Sequence, residues 1–259
     1  MKKIFVGASW KMYKTVKEGT EYINDLQDFM DEKFVEVSNV TVFVLPTFLA
    51  IDAFSKNICH SNLKYGSQNC FWEDEGPYTG EVSPMHLKDL GCSFVELGHP
   101  ERKSILKEDL KMINKKIKAC IRNDITPVIC MGEEEKPQKT SDATDFIELQ
   151  LDVLLTGIKA EDIAKIILAY EPAWAIGESE AADTSYIGTM MDHIRNFLAS
   201  RYGEELYSEQ LIIYGGSVNK NTAKNILEIR ENNGIFIGRA SLDIELFKYM
   251  INVALEINN

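Results

Sequence analysis

The chain has 259 residues, of which 45% are hydrophobic, and a formal net charge of -12. That length suits one large α/β barrel or two ordinary domains, and the apolar share is ample for a sizeable core. The acidic balance argues against partners such as nucleic acid or an anionic membrane, and it requires that an anionic substrate be drawn by a local site rather than by the overall field.

Short apolar runs alternate with longer helical patterns. The runs are Ile4–Ala8, Val40–Leu45, Leu63–Gly66, Phe94–Leu97, Thr126–Cys130, Ile166–Tyr170, Leu211–Tyr214 and Ile235–Ile237. Most are β-branched or aromatic without polar alternation, as expected of strands buried on both faces. Between and after them lie helical patterns at Val16–Phe34, Leu49–Ile58, Pro84–Leu90, Leu110–Arg122, Phe146–Leu155, Ile187–Tyr202, Thr222–Ile229 and Ile244–Ile257. Ser83 and Pro84 suit a helix cap and first turn, and Asp183 or Thr184 suits the cap of the Ile187–Tyr202 helix.

Eight strands, each followed by a helix, predict an α/β protein: one closed (β/α)8 barrel over residues 1–259, as a single domain. No Ser/Gly-rich linker or charge run divides it. The alternative is an open doubly wound sheet, against which no G-x-G-x-x-G follows the first strand. Glu133-Glu134-Glu135 reads as a solvated loop after the fifth strand. The five cysteines, Cys59, Cys70, Cys92, Cys120 and Cys130, include no C-x-x-C pair. This suits reduced thiols in the cytoplasm and argues against a zinc site. The basic start Met1-Lys2-Lys3 has too few apolar residues behind it for a signal segment. No apolar run approaches the ~18 residues of a membrane helix.

In such barrels chemistry gathers where the strands end. Ser9-Trp10-Lys11 follows the first strand, Gln68-Asn69 the third, and Gly98-His99 the fourth. Glu171-Pro172 ends the sixth. Gly215-Gly216-Ser217 follows the seventh and opens a helix, and Gly238-Arg239-Ala240-Ser241 follows the eighth. Singly these are ordinary: a lone Lys is usually solvated, a lone His usually a satisfied polar residue, and Gly-Gly-Ser usually a turn. Together they assemble a base, a donor, an ammonium and two glycine-rich turns whose N–H groups suit phosphate. A glutamate ending a buried strand is costly unless its charge has a use. The chemistry suggested is proton abstraction beside a carbonyl on a small phosphate ester, which needs no metal or organic cofactor.

The motifs Trp10-Lys11-Met12, Gly80-Glu81-Val82-Ser83-Pro84, Glu96-Leu97-Gly98-His99 with Glu101-Arg102, Ala169-Tyr170-Glu171-Pro172 with Trp174-Ala175-Ile176-Gly177, and Tyr214-Gly215-Gly216-Ser217-Val218 resemble the triosephosphate isomerase family over nearly the whole chain. The resemblance implies a TIM barrel with an isomerase site. It makes Glu171 the proton-shuttling base, His99 the neutral electrophile and Lys11 the ammonium that holds phosphate and oxyanion. It implies a closing lid from Pro172 to about Ala182, including Trp174, Ala175, Ile176 and Gly177, held by Tyr214 and Ser217. Gly177, Ser217 and Gly238 match phosphate-binding positions. Thr79 matches the tip of a loop that enters a second subunit, which implies a homodimer.

Four departures touch substrate recognition. Ser9 stands where the family has asparagine. Arg239 replaces the second glycine of a Gly-Gly pair and either crowds the phosphate or adds a guanidinium fork. Pro100 replaces serine, and the lid tip reads Glu178-Ser179-Glu180. Ser-Trp-Lys and Gly-Arg resemble a sister branch that isomerises erythrulose phosphates, so an erythrulose phosphate is the favoured substrate. The alternative is the triose phosphate itself, as in glycolysis. Two further readings are a phosphosugar-binding barrel without catalysis and a Schiff-base aldolase, which needs Lys11 uncharged beside an anionic substrate.

Overall fold

A computed structural model of the protein describes residues 2–34, 39–175 and 181–258. Its strands are β1 (Ile4–Ser9), β2 (Val40–Leu45), β3 (Leu63–Ser67), β4 (Phe94–Leu97), β5 (Thr126–Met131), β6 (Ile167–Tyr170), β7 (Leu211–Tyr214) and β8 (Gly234–Ile237). Each pairs in parallel with the next, and β8 pairs with β1, closing the barrel. The (β/α)8 architecture expected from the alternating pattern is therefore present.

Side chains of a strand alternate between faces. Every second residue points into the barrel, and these residues form a core of their own: Phe5, Phe43, Leu45, Phe94, Val128, Cys130, Ile167, Ala169, Ile213 and Phe236. The Phe43 ring lies 4.7 Å from that of Phe94 and 5.8 Å from that of Phe236. Gly7 makes this possible, because a Cβ there would overlap the Phe43 ring. The outer faces pack on the helices in a second, larger core. Continuing the inward rows one step toward the C-terminal mouth changes their character. Phe5 and Gly7 lead to Ser9, Phe94 to Glu96, Ile167 and Ala169 to Glu171, Ile213 to Gly215, and Phe236 to Gly238. The barrel is thus apolar below and polar at one end.

The helices differ from expectation mainly at their starts. The helix Thr140–Leu154 begins six residues before the expected Phe146. Thr184–Tyr202 is capped by Asp183, whose carboxylate accepts the N–H groups of Ser185 and Tyr186. The sequence reading missed three short helices, Pro100–Ser104, Ala160–Ile163 and Leu206–Glu209. Each is too short to show a 3.6-residue period. Gly215-Gly216-Ser217 does not open a helix directly: the next one is Ala223–Leu227. Between them Asn219 and Thr222 side chains accept the N–H groups of Asn221 and Asn219, a local turn that competes with helix. Glu133 is not solvated. It is buried, and only Glu134 and Glu135 face water.

One buried ionic network holds the loops after β3 and β4. Glu108 Oε1 accepts from Arg102 Nε and Nη2, at 2.8 and 2.6 Å, and from Lys116 Nζ at 2.6 Å. Lys116 also donates to Asn69 Oδ1 at 2.8 Å and is 3% exposed. Removing one partner strands a buried charge, which costs far more than the intact network contributes. Lys116→Met is therefore expected to lower unfolding free energy by about 3 kcal/mol, read from the urea midpoint. An unchanged midpoint would mean that Glu108 re-pairs without it.

Candidate active site

The polar end of the barrel opens into a cavity of about 590 Å³, lined among others by Ser9, Lys11, Glu96, His99, Glu171 and Gly238. Lys11 enters it from the loop after β1. Its φ of 51° lies in the left-handed region that side chains rarely adopt. Two neighbours hold that backbone. Trp10 is 1% exposed and wedged edge-on against Tyr22 and Phe54. Gln68 Nε2 donates to the carbonyl oxygens of Lys11 and Leu45, both at 2.9 Å. The ammonium itself pairs with Glu101 Oε1 at 2.7 Å.

His99 caps the short helix Pro100–Ser104, and its Nδ1 accepts the Glu101 N–H at 3.2 Å. A ring nitrogen that accepts carries no proton, so the neutral ring bears its hydrogen on Nε2. Burial, then the Lys11 ammonium, pushes the imidazole down to about 4. His99 is consequently a neutral N–H donor near neutral pH. Pro100 costs nothing here, since the first N–H of a helix has no internal partner.

Glu171 follows β6 and is 4% exposed. Its N–H bonds to Met131 O at 2.8 Å, and Pro172 stops the ladder there. Its Oε2 has no hydrogen-bond partner among the described residues. Burial, and then the Glu96 carboxylate, pushes its carboxyl up to about 8, against a smaller pull from Lys11. Gly132 and Gly215 make room for it. A Cβ on Gly132 would overlap the Glu171 carbonyl, and one on Gly215 would overlap Glu171 Oε1.

Ser217 lines the cavity, and Tyr214 is fully buried in the outer core at the end of β7. Ser217, at φ 48°, donates from Oγ to Ala175 O at 2.6 Å, and Tyr214 OH accepts the Ala182 N–H at 3.2 Å. Both bonds reach the segment that follows Glu171, at either side of residues 176–180. Trp174 and Ala175 form a short 3-10 turn there. Ile176, Gly177 and the acids Glu178 and Glu180 lie outside the described residues. Gly238 faces Lys11, for a Cβ on it would sit 3.8 Å from Lys11 Cε. Arg239 starts the turn Arg239–Leu242, lines the cavity, is exposed, and makes no hydrogen bond or ion pair among the described residues. Thr79 is exposed at a loop tip. Among the described residues no cluster of three His, Cys, Asp or Glu side chains is arranged to hold a metal ion.

Two groups escaped the sequence reading. Glu96 points into the cavity floor, 2% exposed, where Ser9 Oγ donates to its Oε2 at 2.7 Å. The signal was a glutamate inside the apolar run Phe94–Leu97. Glu133 accepts from Tyr170 OH at 2.9 Å and also from Tyr186 OH, while its carbonyl accepts the Ala173 N–H at 2.7 Å. It ties β5, β6 and the Thr184–Tyr202 helix together beside the loop after Glu171.

Comparison with known proteins agrees with this geometry. A family model described as Triosephosphate isomerase matches residues 4–254. A triosephosphate isomerase of Finegoldia magna is 37% identical over 254 residues, covering 97% of this chain and 99% of the relative. One of Alkaliphilus oremlandii is 36% identical over 252 residues, covering 97% and 100%. One of Protochlamydia amoebophila is 37% identical over 249 residues, covering 96% and 92%.

The buried acids make stability depend on pH with a definite sign. Glu171 and Glu96 are raised from 4.5 to about 8 and about 7, so the folded chain holds protons that the unfolded chain releases. Their stabilising effect is complete below about 4.5 and is lost as pH climbs through these values. His99, lowered from 6.5, acts below that range and drops out above it. Between about pH 6.5 and 8.5 the melting temperature should therefore fall. Glu171→Gln should reduce that fall by several degrees, given ~2–4 °C per kcal/mol at this size. Parallel melting curves of the two proteins would show Glu171 to be solvated in the free protein.

Proposed function

The chain belongs to the triosephosphate isomerase family, and on that premise we propose that it interconverts dihydroxyacetone phosphate and glyceraldehyde 3-phosphate. It is an isomerase, an intramolecular oxidoreductase, acting on a small sugar phosphate. The observation that carries the reading is the meeting of a desolvated carboxylate, Glu171, with a neutral imidazole N–H on His99 and the Lys11 ammonium around one cavity. The names of the similar proteins support the triose as substrate.

Glu171 removes a proton from the carbon next to the carbonyl and returns it to the neighbouring carbon. A carboxylate raised by burial is a stronger base than one in water, and Glu171 gains that strength without a separate activator. His99 Nε2–H donates to the developing enediolate oxygen. A neutral donor stabilises that oxygen without losing its proton to it outright. Lys11 exchanges Glu101 for the substrate's oxyanion and phosphate, a task for a compact charge. Ser217, Gly238 and, with it, Gly177 are the backbone positions assigned to the phosphate. The closing loop is assigned to the segment that begins at Trp174 and Ala175, which Ser217 and Tyr214 bond at Ala175 and Ala182; closure would exclude water.

A second reading, an erythrulose phosphate as substrate, is favoured by two features. Ser9 turns toward Glu96, so the cavity floor carries a polar pair that can accept a further hydroxyl. Arg239 brings to the cavity lining a guanidinium without a partner among the described residues. A second copy of the chain is the partner assigned to the loop around Thr79, since large apolar side chains lie bare on the segments that follow β1, β2 and β3: Met12 is 93% exposed, Leu49 82%, Tyr13 56% and Tyr78 41%. The compartment assigned is the cytoplasm, in keeping with five free cysteines. No helix among the described residues is long and apolar enough to cross a membrane.

The deciding experiment is kcat/KM on dihydroxyacetone phosphate and on both erythrulose phosphates with one enzyme preparation. A preference for the triose is expected; a large preference for a four-carbon substrate would replace the first reading by the second. In the same assay Glu171→Gln should lose ~10²–10⁴ in kcat, the usual range for a general base. Near-normal turnover would remove Glu171 from the mechanism. Arg239→Gly should alter the ranking of substrates more than the rate on the best one, and an equal loss on all would make Arg239 structural.

A further inference from the structure

Tyr22 carries a buried hydroxyl that neither the core nor the mechanism above explains. It sits on the helix Val16–Lys33, on the apolar face it shares with Ile23, Leu26 and Met30. Its ring meets Trp10 edge-on, with centroids 4.9 Å apart, and the Lys14 ammonium lies 4.9 Å from its centroid. A phenylalanine would satisfy all of that packing. The hydroxyl adds a bond of its own: it donates to Ser241 O at 2.7 Å, and no other donor reaches that carbonyl among the described residues. Burial, then the Asp243 and Asp25 carboxylates, hold the phenol far above its ordinary range, so it remains a donor.

Ser241 passes the constraint on. It is fully buried in the turn Arg239–Leu242, and its Oγ and N–H both reach Gly238 O, at 2.7 and 3.0 Å, with Oγ also 3.2 Å from Ile237 O. The C=O and N–H of one trans peptide point in opposite directions. With the Gly238 carbonyl drawn back to Ser241, the Arg239 N–H is turned the other way, and it finds no acceptor among the described residues. Gly238 and Arg239 both line the cavity, with Gly238 against Lys11. Trp10, the ring on which Tyr22 packs, precedes Lys11 and anchors its left-handed turn. One side chain therefore stands behind both turns that face each other across the cavity.

We propose that Tyr22 is a positioning residue for phosphate binding: its hydroxyl, acting through Ser241, fixes the Gly238–Arg239 peptide so that the Arg239 N–H faces the anion held by Lys11. The inference rests on the assignment of the substrate's phosphate to Lys11 and Gly238. Tyr22 touches neither the substrate nor the proton-transfer groups. The phosphate does not react, so it is held alike in the ground state and the transition state. Loosening its cradle then raises KM and leaves kcat in place.

The test compares wild type with Tyr22→Phe, which keeps the ring and removes the hydroxyl. Two quantities are read: kcat and KM on whichever sugar phosphate the wild-type enzyme turns over, and the dissociation constant of inorganic phosphate by calorimetry, which needs no turnover. KM and the phosphate constant should rise together by roughly 2- to 10-fold, the weight of one neutral hydrogen bond, with kcat little changed. A lower melting temperature with both constants unmoved is the signature of a merely structural hydroxyl and would overturn the proposal. So would a wild-type enzyme that does not bind inorganic phosphate. Ser241→Ala cuts the same relay one bond later and leaves the helix Val16–Lys33 intact. It should also raise both constants, and should add little in the Tyr22→Phe background, because the two bonds act in series. Should Tyr22→Phe not fold, Ser241→Ala alone decides: an unmoved phosphate constant overturns the relay. A wild-type enzyme that binds inorganic phosphate but turns over no sugar phosphate would instead fail the isomerase reading, a separate outcome, and the phosphate constants would still judge Tyr22.

Discussion

The site depends on one constraint: a carboxyl group must be kept dry. Glu171 lies beyond the last apolar layer of the barrel and is almost wholly covered. Water would return its carboxyl to ordinary acidity and its basicity would vanish. The surrounding sequence serves that condition. Pro172 ends the strand at the residue required. Gly132 and Gly215 leave the space it occupies: a Cβ on Gly132 would collide with the Glu171 backbone, and one on Gly215 with its side chain. Phe236, Ile237 and Val218 complete an apolar wall beside the polar groups.

The same burial acts in opposite directions on the two groups that flank a substrate. It raises an acid and lowers a base, because it penalises whichever form is charged. Glu171 is driven up, toward a stronger base that holds its proton near neutral pH in the free protein, and His99 down, toward a neutral ring. Local hydrogen bonding then fixes the detail. The Glu101 N–H points at Nδ1 of His99, which leaves Nε2–H for the substrate. Had His99 been placed one residue earlier, it would not cap the helix Pro100–Ser104, and nothing on the backbone would choose its tautomer.

Much of this was legible in the sequence because barrel strands are short, apolar and regularly spaced. The strand ends differ from expectation by at most one residue. Lys11, His99 and Glu171 stood out as polar residues at strand tips, and the cavity gathers all three. What was missed carries its meaning in contacts between elements distant in sequence. Glu96 is polar inside a strand, and its meaning depends on facing inward, which requires the register of the closed sheet. Glu133 sits in a run of three acids that looks solvated, and only the approach of Tyr170 and Tyr186 from other elements makes it a buried acceptor. Gly215-Gly216-Ser217 reads as the opening of a helix, but the turn from Asn219 to Thr222, whose side chains accept backbone N–H groups, comes between it and the helix Ala223–Leu227.

Substrate choice belongs to a different part of the site from proton transfer. The groups assigned to proton transfer are fixed by backbone: a strand tip for Glu171, a helix cap for His99, a left-handed turn for Lys11. Their positions tolerate little change. Ser9 and Arg239 contribute only side chains, one at the floor and one at the rim. A hydroxyl turned toward Glu96 reaches less far than a longer polar side chain would, and a guanidinium at the rim can follow a phosphate through several positions. On the proposed reading, size discrimination rests on these two side chains, whereas the enediolate chemistry rests on groups the backbone holds still. A barrel built this way can exchange one sugar phosphate for another by altering the floor and rim while the proton-transfer geometry is kept.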